Sequence, residues 1–198
     1  MYAKKIVAAT GNKGKLREFC EILKDFEIIS MKDLGIDIEV EENGETFKEN
    51  AYIKASEIAK LTDYPVLSDD SGLCVDFLLG SPGVHTARYA GENATDEENI
   101  NKLLDALKDV PHNNRTARFV SVICVVFPDG NAVYGEGTCE GRITFAPSGE
   151  NGFGYDPVFY TEKYGKTFAE LTADEKNSIS HRRCALDDIN KKLGEMFK

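Results

Sequence analysis

Histidine is scarce and cysteine is unpatterned in this sequence. None of the three histidines lies at zinc-ligand spacing from another histidine or from a cysteine, which argues against a zinc enzyme. The five cysteines are odd in number and form no Cys-x-x-Cys pair. This usage argues against a disulfide scaffold and favours reduced thiols in a cytoplasm.

Long hydrophobic runs and an excess of positive charge are also absent. After the basic start Met1–Lys5, the only early apolar stretch is 6–9, too short for a signal peptide or a membrane span. We therefore expect an unanchored cytoplasmic protein that does not bind membranes. The net charge of −10 argues against a general nucleic-acid binder, although a small anion can still bind a local basic pocket.

What remains is an ordinary globular composition. The 198 residues are 41% hydrophobic and 29% charged, and they include no repeat, low-complexity segment or linker. This length supports one substantial core and does not require two domains. We expect a single domain spanning residues 1–198, with two lobes.

Local patterns alternate between strands and helices. Residues 6–9 read as a strand, followed by a loop and a helix from about 15 to 24. Capping-box patterns at Thr46 and Thr95 begin two further helices. The remaining predicted elements are strands at 27–30, 66–68 and 73–76, a hairpin formed by 118–127 and 132–145, and a final helix at 179–197. This alternation predicts an α/β fold with a mixed β-sheet.

Two segments suggest chemistry. Asp69 and Asp70 are adjacent carboxylates that we place in a turn between two short strands, and carboxylate oxygens suit magnesium. The loop from Thr10 to Lys15 joins a strand to a helix, where backbone N–H groups and a lysine attract phosphate. Either pattern alone is more often a solvated turn. Because ligands gather beyond strand ends in α/β sheets, the two together predict nucleotide chemistry at one rim.

Five segments, in this order and spacing, resemble the inosine/xanthosine triphosphate pyrophosphatase family, specifically its RdgB-type bacterial enzymes. They are Thr10-Gly11-Asn12-x-x-Lys15, Glu42 with Glu49-Asn50-Ala51, Ser68-Asp69-Asp70-Ser71-Gly72-Leu73, Gly152-Phe153-Gly154-Tyr155-Asp156-Pro157 and Ser180-His181-Arg182. The resemblance implies an elongated mixed sheet flanked by helices, with an active-site cleft between two lobes. It also implies a homodimer and magnesium-dependent cleavage of ITP, dITP and XTP to the monophosphate and pyrophosphate.

The resemblance assigns the metal and phosphate sites. Glu42 and Asp70 are the expected Mg²⁺ ligands, with Asp69 assisting, since this ion usually takes one or two carboxylates and completes its shell with water and phosphate. Asp70 is also the expected base for the water that attacks the α-phosphorus. The phosphate contacts are expected from Thr10, Gly11, Asn12, Lys13, Gly14, Lys15, Lys54 and Ser71.

The base site is expected from the glycine-rich loop and the end of the chain. Phe153, flanked by glycines, is a candidate to stack on the purine, and Asp156 to accept a base N–H. Gly154 and Tyr155 complete this loop, and Arg88 is a further candidate phosphate contact. Lys176, His181 and Arg182 are placed at the start of the last helix, where their donors suit a carbonyl on the base.

Two alternatives stay open at this point. A Maf-type enzyme, of similar architecture, would cleave pyrimidine or modified nucleotides, so the base of the preferred substrate distinguishes it. A non-catalytic nucleotide sensor would bind the triphosphate in magnesium without releasing pyrophosphate.

Overall fold

A computed structural model of the protein describes residues 4–196. Within this range the chain forms β-strands and α-helices that alternate along most of its length. The strands are β1 Lys5–Ala8, β2 Glu27–Ser30, β3 Val66–Val75, β4 Thr116–Val126, β5 Ala132–Ile143, β6 Phe159–Thr161 and β7 Lys166–Thr167. The helices are α1 Lys13–Ile22, α2 Phe47–Ala59, α3 Asp96–Ala106, α4 Ala173–Asn177 and α5 His181–Met196.

The described strands form one mixed sheet in the order β2-β1-β3-β4-β5-β6-β7. β1 pairs in parallel with β2 and β3, and the connections run through helices, as parallel pairing requires. β6 pairs antiparallel with β5 and β7. The predicted mixed α/β sheet flanked by helices is therefore confirmed.

The chain divides into two compact units, each with its own apolar core. The first is built from residues 4–71, 121–137 and 181–196, and the second from 72–120 and 138–180. In the first unit, α1 and α5 bury Phe19, Leu186 and Ile189 with Leu67 of β3. In the second, the rings of Phe119, Phe159 and Phe168 pack with centroids 4.6–5.7 Å apart.

The helix N-termini fall into two kinds. α2, α3 and α4 begin with complete capping boxes, formed by Thr46 with Glu49, Thr95 with Glu98, and Thr172 with Glu175. Each of these helices carries acidic residues in its first turn, which its dipole favours. The first turn of α1 has no acidic residue and contains Lys13 and Lys15. This exception lies in the loop that the sequence assigns to phosphate.

The predicted turn at Asp69 and Asp70 is wrong. β3 runs without interruption from Val66 to Val75 and carries both aspartates inside the strand. A buried strand tolerates a carboxylate only where cations and hydrogen-bond donors compensate for lost water. The partners of Asp69, described below, supply that compensation from distant parts of the chain.

The last helix lies unusually close to β5 because of two glycines. A Cβ at Gly135 would meet the carbonyl of Ala185, and a Cβ at Gly137 would meet the carbonyl of His181. Both glycines are buried on alternate positions of β5, so they line the same face of the strand. Any larger residue there would push the first turns of α5 away from the strand.

Within residues 4–196, no helix is both long enough and apolar enough to cross a membrane.

Candidate active site

Asp69 and Asp70 lie on opposite faces of β3, because successive residues of a strand alternate in direction. Leu67 and Asp69 face α1 and α5, whereas the hydroxyl of Ser68 donates to the carbonyl of Ala51 on α2. Asp70 shares that second face with Ser68. Two neighbouring carboxylates therefore occupy different environments.

Asp69 is a fully compensated buried carboxylate. Its oxygens accept from Ser121 Oγ at 2.7 Å and from Arg182 Nε at 3.2 Å, and Lys15 Nζ lies 2.7 Å away. Burial alone would raise the pKa of Asp69, but the charges of Lys15 and Arg182 hold it well below its ordinary value. Asp69 is consequently ionised at neutral pH and already has its cations. Its predicted assistance to the metal stays a prediction, and this arrangement does not favour it.

Arg182 connects Asp69 to two more groups. Its Nη1 donates to Glu18 at 3.2 Å and its Nη2 to Ser71 Oγ at 3.1 Å, while the side chain is 6% exposed. Three acceptors therefore already hold its guanidinium. The predicted contact of Arg182 with a base stays a prediction. Sequence reasoning missed Ser121 and Glu18, because an isolated serine in an apolar strand and a glutamate on a helix carry no local signal.

Asp70 is buried without full compensation. Its Oδ1 accepts from the Ser71 N–H at 3.0 Å, and within residues 4–196 its buried Oδ2 has no hydrogen-bond partner. Burial is the main cause that raises the pKa of Asp70 to about 6, and the charge of Glu42 adds to it. Lys54 and a hydrogen bond from Asn50 act in the opposite direction. Asp70 therefore holds an unsatisfied oxygen beside a second carboxylate.

Glu42 and Lys54 complete this face. Lys54 Nζ lies 2.9 Å from Glu42 Oε1 and 3.2 Å from the carbonyl of Asp69. Among the described residues, no three His, Cys, Asp or Glu side chains gather into a metal cage. Mg²⁺ does not need one, because it commonly binds one or two carboxylates and takes its other ligands from water and phosphate. The unpartnered oxygen of Asp70, with Glu42 close by, fits such an ion.

The loop before α1 is capped by its own asparagine. Asn12 Oδ1 accepts from the N–H groups of Gly14 and Lys15 at 2.8 and 3.1 Å, and the Asn12 N–H donates to Thr10 Oγ1. Two amides predicted for phosphate therefore have an internal partner in this structure. Lys13 and Gly11 are exposed, and a cavity of about 400 Å³ opens beside the loop. Thr10, Gly11, Asn12, Lys32, Glu42 and Lys54 contribute to its lining.

The glycine-rich loop of the second unit forms a separate group. Phe153 is 59% exposed, and Lys176 Nζ lies 4.9 Å from the centroid of its ring. Asp156 Oδ2 accepts from the Phe153 N–H at 2.9 Å and from Lys176 Nζ at 2.5 Å. Gly152 adopts a φ of 82°, and a Cβ there would collide with the Asp156 carboxylate. The loop thus presents an aromatic ring that a lysine covers from one side.

Other predicted residues differ in placement. Lys176 was predicted at the start of the last helix, which is wrong: it lies on α4, a short helix begun by the Thr172 capping box. His181 is the first residue of α5 and is buried. Tyr155 is also buried, and its hydroxyl donates to the carbonyl of Thr86 within the second unit. Arg88 is half-buried on the 3₁₀ turn Gly83–Arg88.

Comparison with known proteins identifies the family. The sequence model of the Ham1 family matches residues 6–192. The chain belongs to the Ham1 family. This membership confirms the family resemblance that the five sequence segments predicted.

Individual Ham1 relatives match along nearly the whole chain. A dITP/XTP pyrophosphatase of Bacillus cereus is 50% identical over 198 residues, covering 98% of this chain and 97% of the relative. One of Treponema denticola is 53% identical over 192 residues, covering 94% of this chain and 97% of the relative. The solved Ham1 protein of Staphylococcus aureus matches with a TM-score of 0.90 at 45% identity, covering 97% and 99% of the two chains.

Proposed function

We propose that this protein hydrolyses the non-standard purine nucleoside triphosphates ITP, dITP and XTP to the monophosphate and pyrophosphate. Its action removes these nucleotides from the cellular pool before they enter nucleic acid. The names of relatives that are about 50% identical over nearly the full chain support this substrate class. The observation that carries the chemistry is Asp70, a carboxylate with a raised pKa and a buried, unpartnered oxygen.

The residues of the first unit would hold the phosphates and the attacking water. The side chains of Lys15 and Lys54 are 21% and 17% exposed, and their ammonium groups would supply positive charge to the phosphates. Ser71 and the backbone of the loop 10–14 would add neutral donors, and the exposed Lys13 would add a further cation. Asp70 would orient the water and accept its proton, since a base whose pKa lies near 6 releases and binds protons readily around neutral pH.

Asp70 and Glu42 would hold Mg²⁺. When bound, the ion would neutralise phosphate charge and so favour attack at the α-phosphorus and departure of pyrophosphate. Lys54 would also neutralise phosphate charge from the same face, where its Nζ lies 2.9 Å from Glu42 Oε1. Asp69 lies on the opposite face of β3, so the metal would not compete with it for Arg182.

The loop of the second unit would hold the base. Lys176 Nζ lies 4.9 Å from the centroid of the Phe153 ring and covers one of its faces. The other face of this exposed ring would stack on the base. His181 and Arg182 stay predicted as donors to the carbonyl of the base. A homodimer, a cytoplasmic location, a single 1–198 domain and the two-lobed cleft likewise stay predictions.

A panel of triphosphates tests the proposal. We expect ITP, dITP and XTP to be cleaved roughly 10 to 100 times faster in kcat/KM than ATP, because an adenine amino group would leave base-site donors unpaired. Phosphate release would be followed with added inorganic pyrophosphatase, and EDTA would supply the metal-free control. Comparable values for ATP and ITP would contradict the base assignment, a preference for pyrimidines would favour the Maf-type alternative, and binding without pyrophosphate release would favour a sensor.

Lys15→Ala is expected to weaken binding of a non-hydrolysable triphosphate roughly tenfold while changing monophosphate binding little. The reason is that an ammonium group near the distal phosphates loses its partner when those phosphates are missing. Calorimetry with both ligands measures the difference, and Lys60→Ala, on an exposed residue of the same unit, serves as the control. Equal losses for the two ligands would count against phosphate contact, and thermal melts would reveal any effect of the lost Asp69 partner.

A further inference from the structure

The glycine-rich loop is anchored by a residue outside the five segments that carry the family resemblance. The N–H of Gly154 donates to Asp96 Oδ2 at 2.7 Å, across 58 positions of sequence. Asp96 is the first residue of α3, and its side chain approaches the loop from a different element of the same unit. The bond joins a charged acceptor to a backbone donor, a type that is stronger than a neutral pair.

This contact completes the restraint of the backbone around Phe153. The N–H of Phe153 is bonded to Asp156 and the next N–H, that of Gly154, is bonded to Asp96. Both peptide planes that flank the Phe153 Cα are therefore fixed, and they set the direction in which its side chain leaves the loop. Gly152 and Gly154 have φ values of 82° and 59°, so their flexibility would otherwise leave this segment loosely defined.

The two carboxylates have different neighbours. Asp156 is buried and also accepts from Lys176, which covers the ring of Phe153, so its removal would disturb the ring's own neighbour. Asp96 is bonded to the backbone of the loop, on the far side of Phe153 in sequence. Removing Asp96 would thus loosen the loop without removing any group that faces a base.

We propose that Asp96 is a positioning residue that holds Phe153 in its stacking orientation before the nucleotide binds. This inference rests on the proposed function, because it assumes that Phe153 stacks on the base. A loop ordered in advance loses less conformational freedom on binding, which increases affinity. The effect belongs in base binding, and the phosphate chemistry of the first unit stays unchanged.

Kinetics of three variants test the proposal. We expect Asp96→Ala to raise KM for ITP by about 3- to 10-fold with kcat within about twofold of wild type, the loss of one hydrogen bond to a charged acceptor. Asp96→Asn keeps an acceptor oxygen and should recover part of the loss. Glu97→Gln is the control: it removes an equal negative charge from the first turn of α3, and we expect it to leave KM for ITP unchanged. Tripolyphosphate lacks a base, so we expect its inhibition constant to be the same in wild type and in all three variants.

A second readout is independent of hydrolysis. The chain has no tryptophan, so Phe153→Trp introduces a single indole that reports on the loop. Adding Asp96→Ala to this variant should lower the fluorescence anisotropy and increase acrylamide quenching, whereas adding Glu97→Gln should not. If Asp96→Ala and Glu97→Gln give the same KM and the same anisotropy, the positioning role is overturned. If wild type fails to cleave ITP, the proposed function fails, while the anisotropy comparison still decides whether Asp96 orders the loop.

Discussion

Asp70→Asn is expected to reduce kcat for ITP by at least about 10²-fold while leaving nucleotide binding largely intact, since general-base catalysis contributes about 10²- to 10⁴-fold. The substitution keeps the size of the side chain and removes the proton acceptor together with one metal-binding charge. Single-turnover kinetics with saturating ITP and magnesium measure the loss, and calorimetry measures binding. Near-normal turnover would move the base to Asp69 or to another group.

The same substitution is expected to make the metal-free protein more stable. Burial raises the pKa of Asp70 from 3.8 to about 6, so the folded state binds this proton more tightly than the unfolded chain. Stability therefore falls as pH rises through that window, and the ionised carboxylate is unfavourable at pH 7. Asparagine removes this cost, on the order of 1–3 kcal/mol in the free energy of unfolding. Urea denaturation in EDTA at pH 7 and pH 4 measures the difference in the free energy of unfolding between Asp70→Asn and wild type. We expect this difference to be smaller at pH 4.

Asp69→Asn is expected to act in the opposite direction and lower the free energy of unfolding by about 3–5 kcal/mol, the cost of breaking a buried ion pair. The buried Arg182 and the partly buried Lys15 would both lose their carboxylate. Because the pKa of Asp69 lies below its ordinary value, its contribution is present above the unfolded pKa and is lost in acid.

Urea denaturation at pH 7 measures this second effect, with Asp70→Asn as the matched neighbour in identical buffer. Ser121→Ala, which removes a neutral donor to the same carboxylate, should cost only about 1 kcal/mol. Equal shifts for the Asp69 and Asp70 variants would refute the assignment of two different environments to adjacent residues.

Local signals predicted most of the fold. Capping boxes at Thr46 and Thr95, and the alternation of strands with helices, led to α2, α3 and the mixed sheet, because these patterns act over a few residues. The same signal at Thr172 was present but not recognised, so α4 was missed and Lys176 was assigned to the wrong helix.

Long-range partners explain what the sequence could not predict. Two adjacent aspartates before Ser71-Gly72 are typical of a turn. An uninterrupted strand is tolerable here because Asp69 is compensated by Lys15, by Ser121 and by Arg182, which is 113 positions away in sequence. Asp96 is likewise invisible as a loop anchor, because its neighbours in sequence explain it fully as part of a helix N-terminus. The five matching segments identified candidate residues without indicating how their charges are paired.

The division of the chain has a consequence for synthesis. Residues 4–71, 121–137 and 181–196 share one unit, whereas 72–120 and 138–180 form the other. Every segment of the second unit therefore precedes α5 in the order of synthesis. Until that helix emerges and seats against Gly135 and Gly137, Asp69 lacks the guanidinium of Arg182. A chain truncated at residue 180 would keep Lys15 as the cation beside Asp69, but it would lose Arg182 and the apolar face that α5 contributes to the first core.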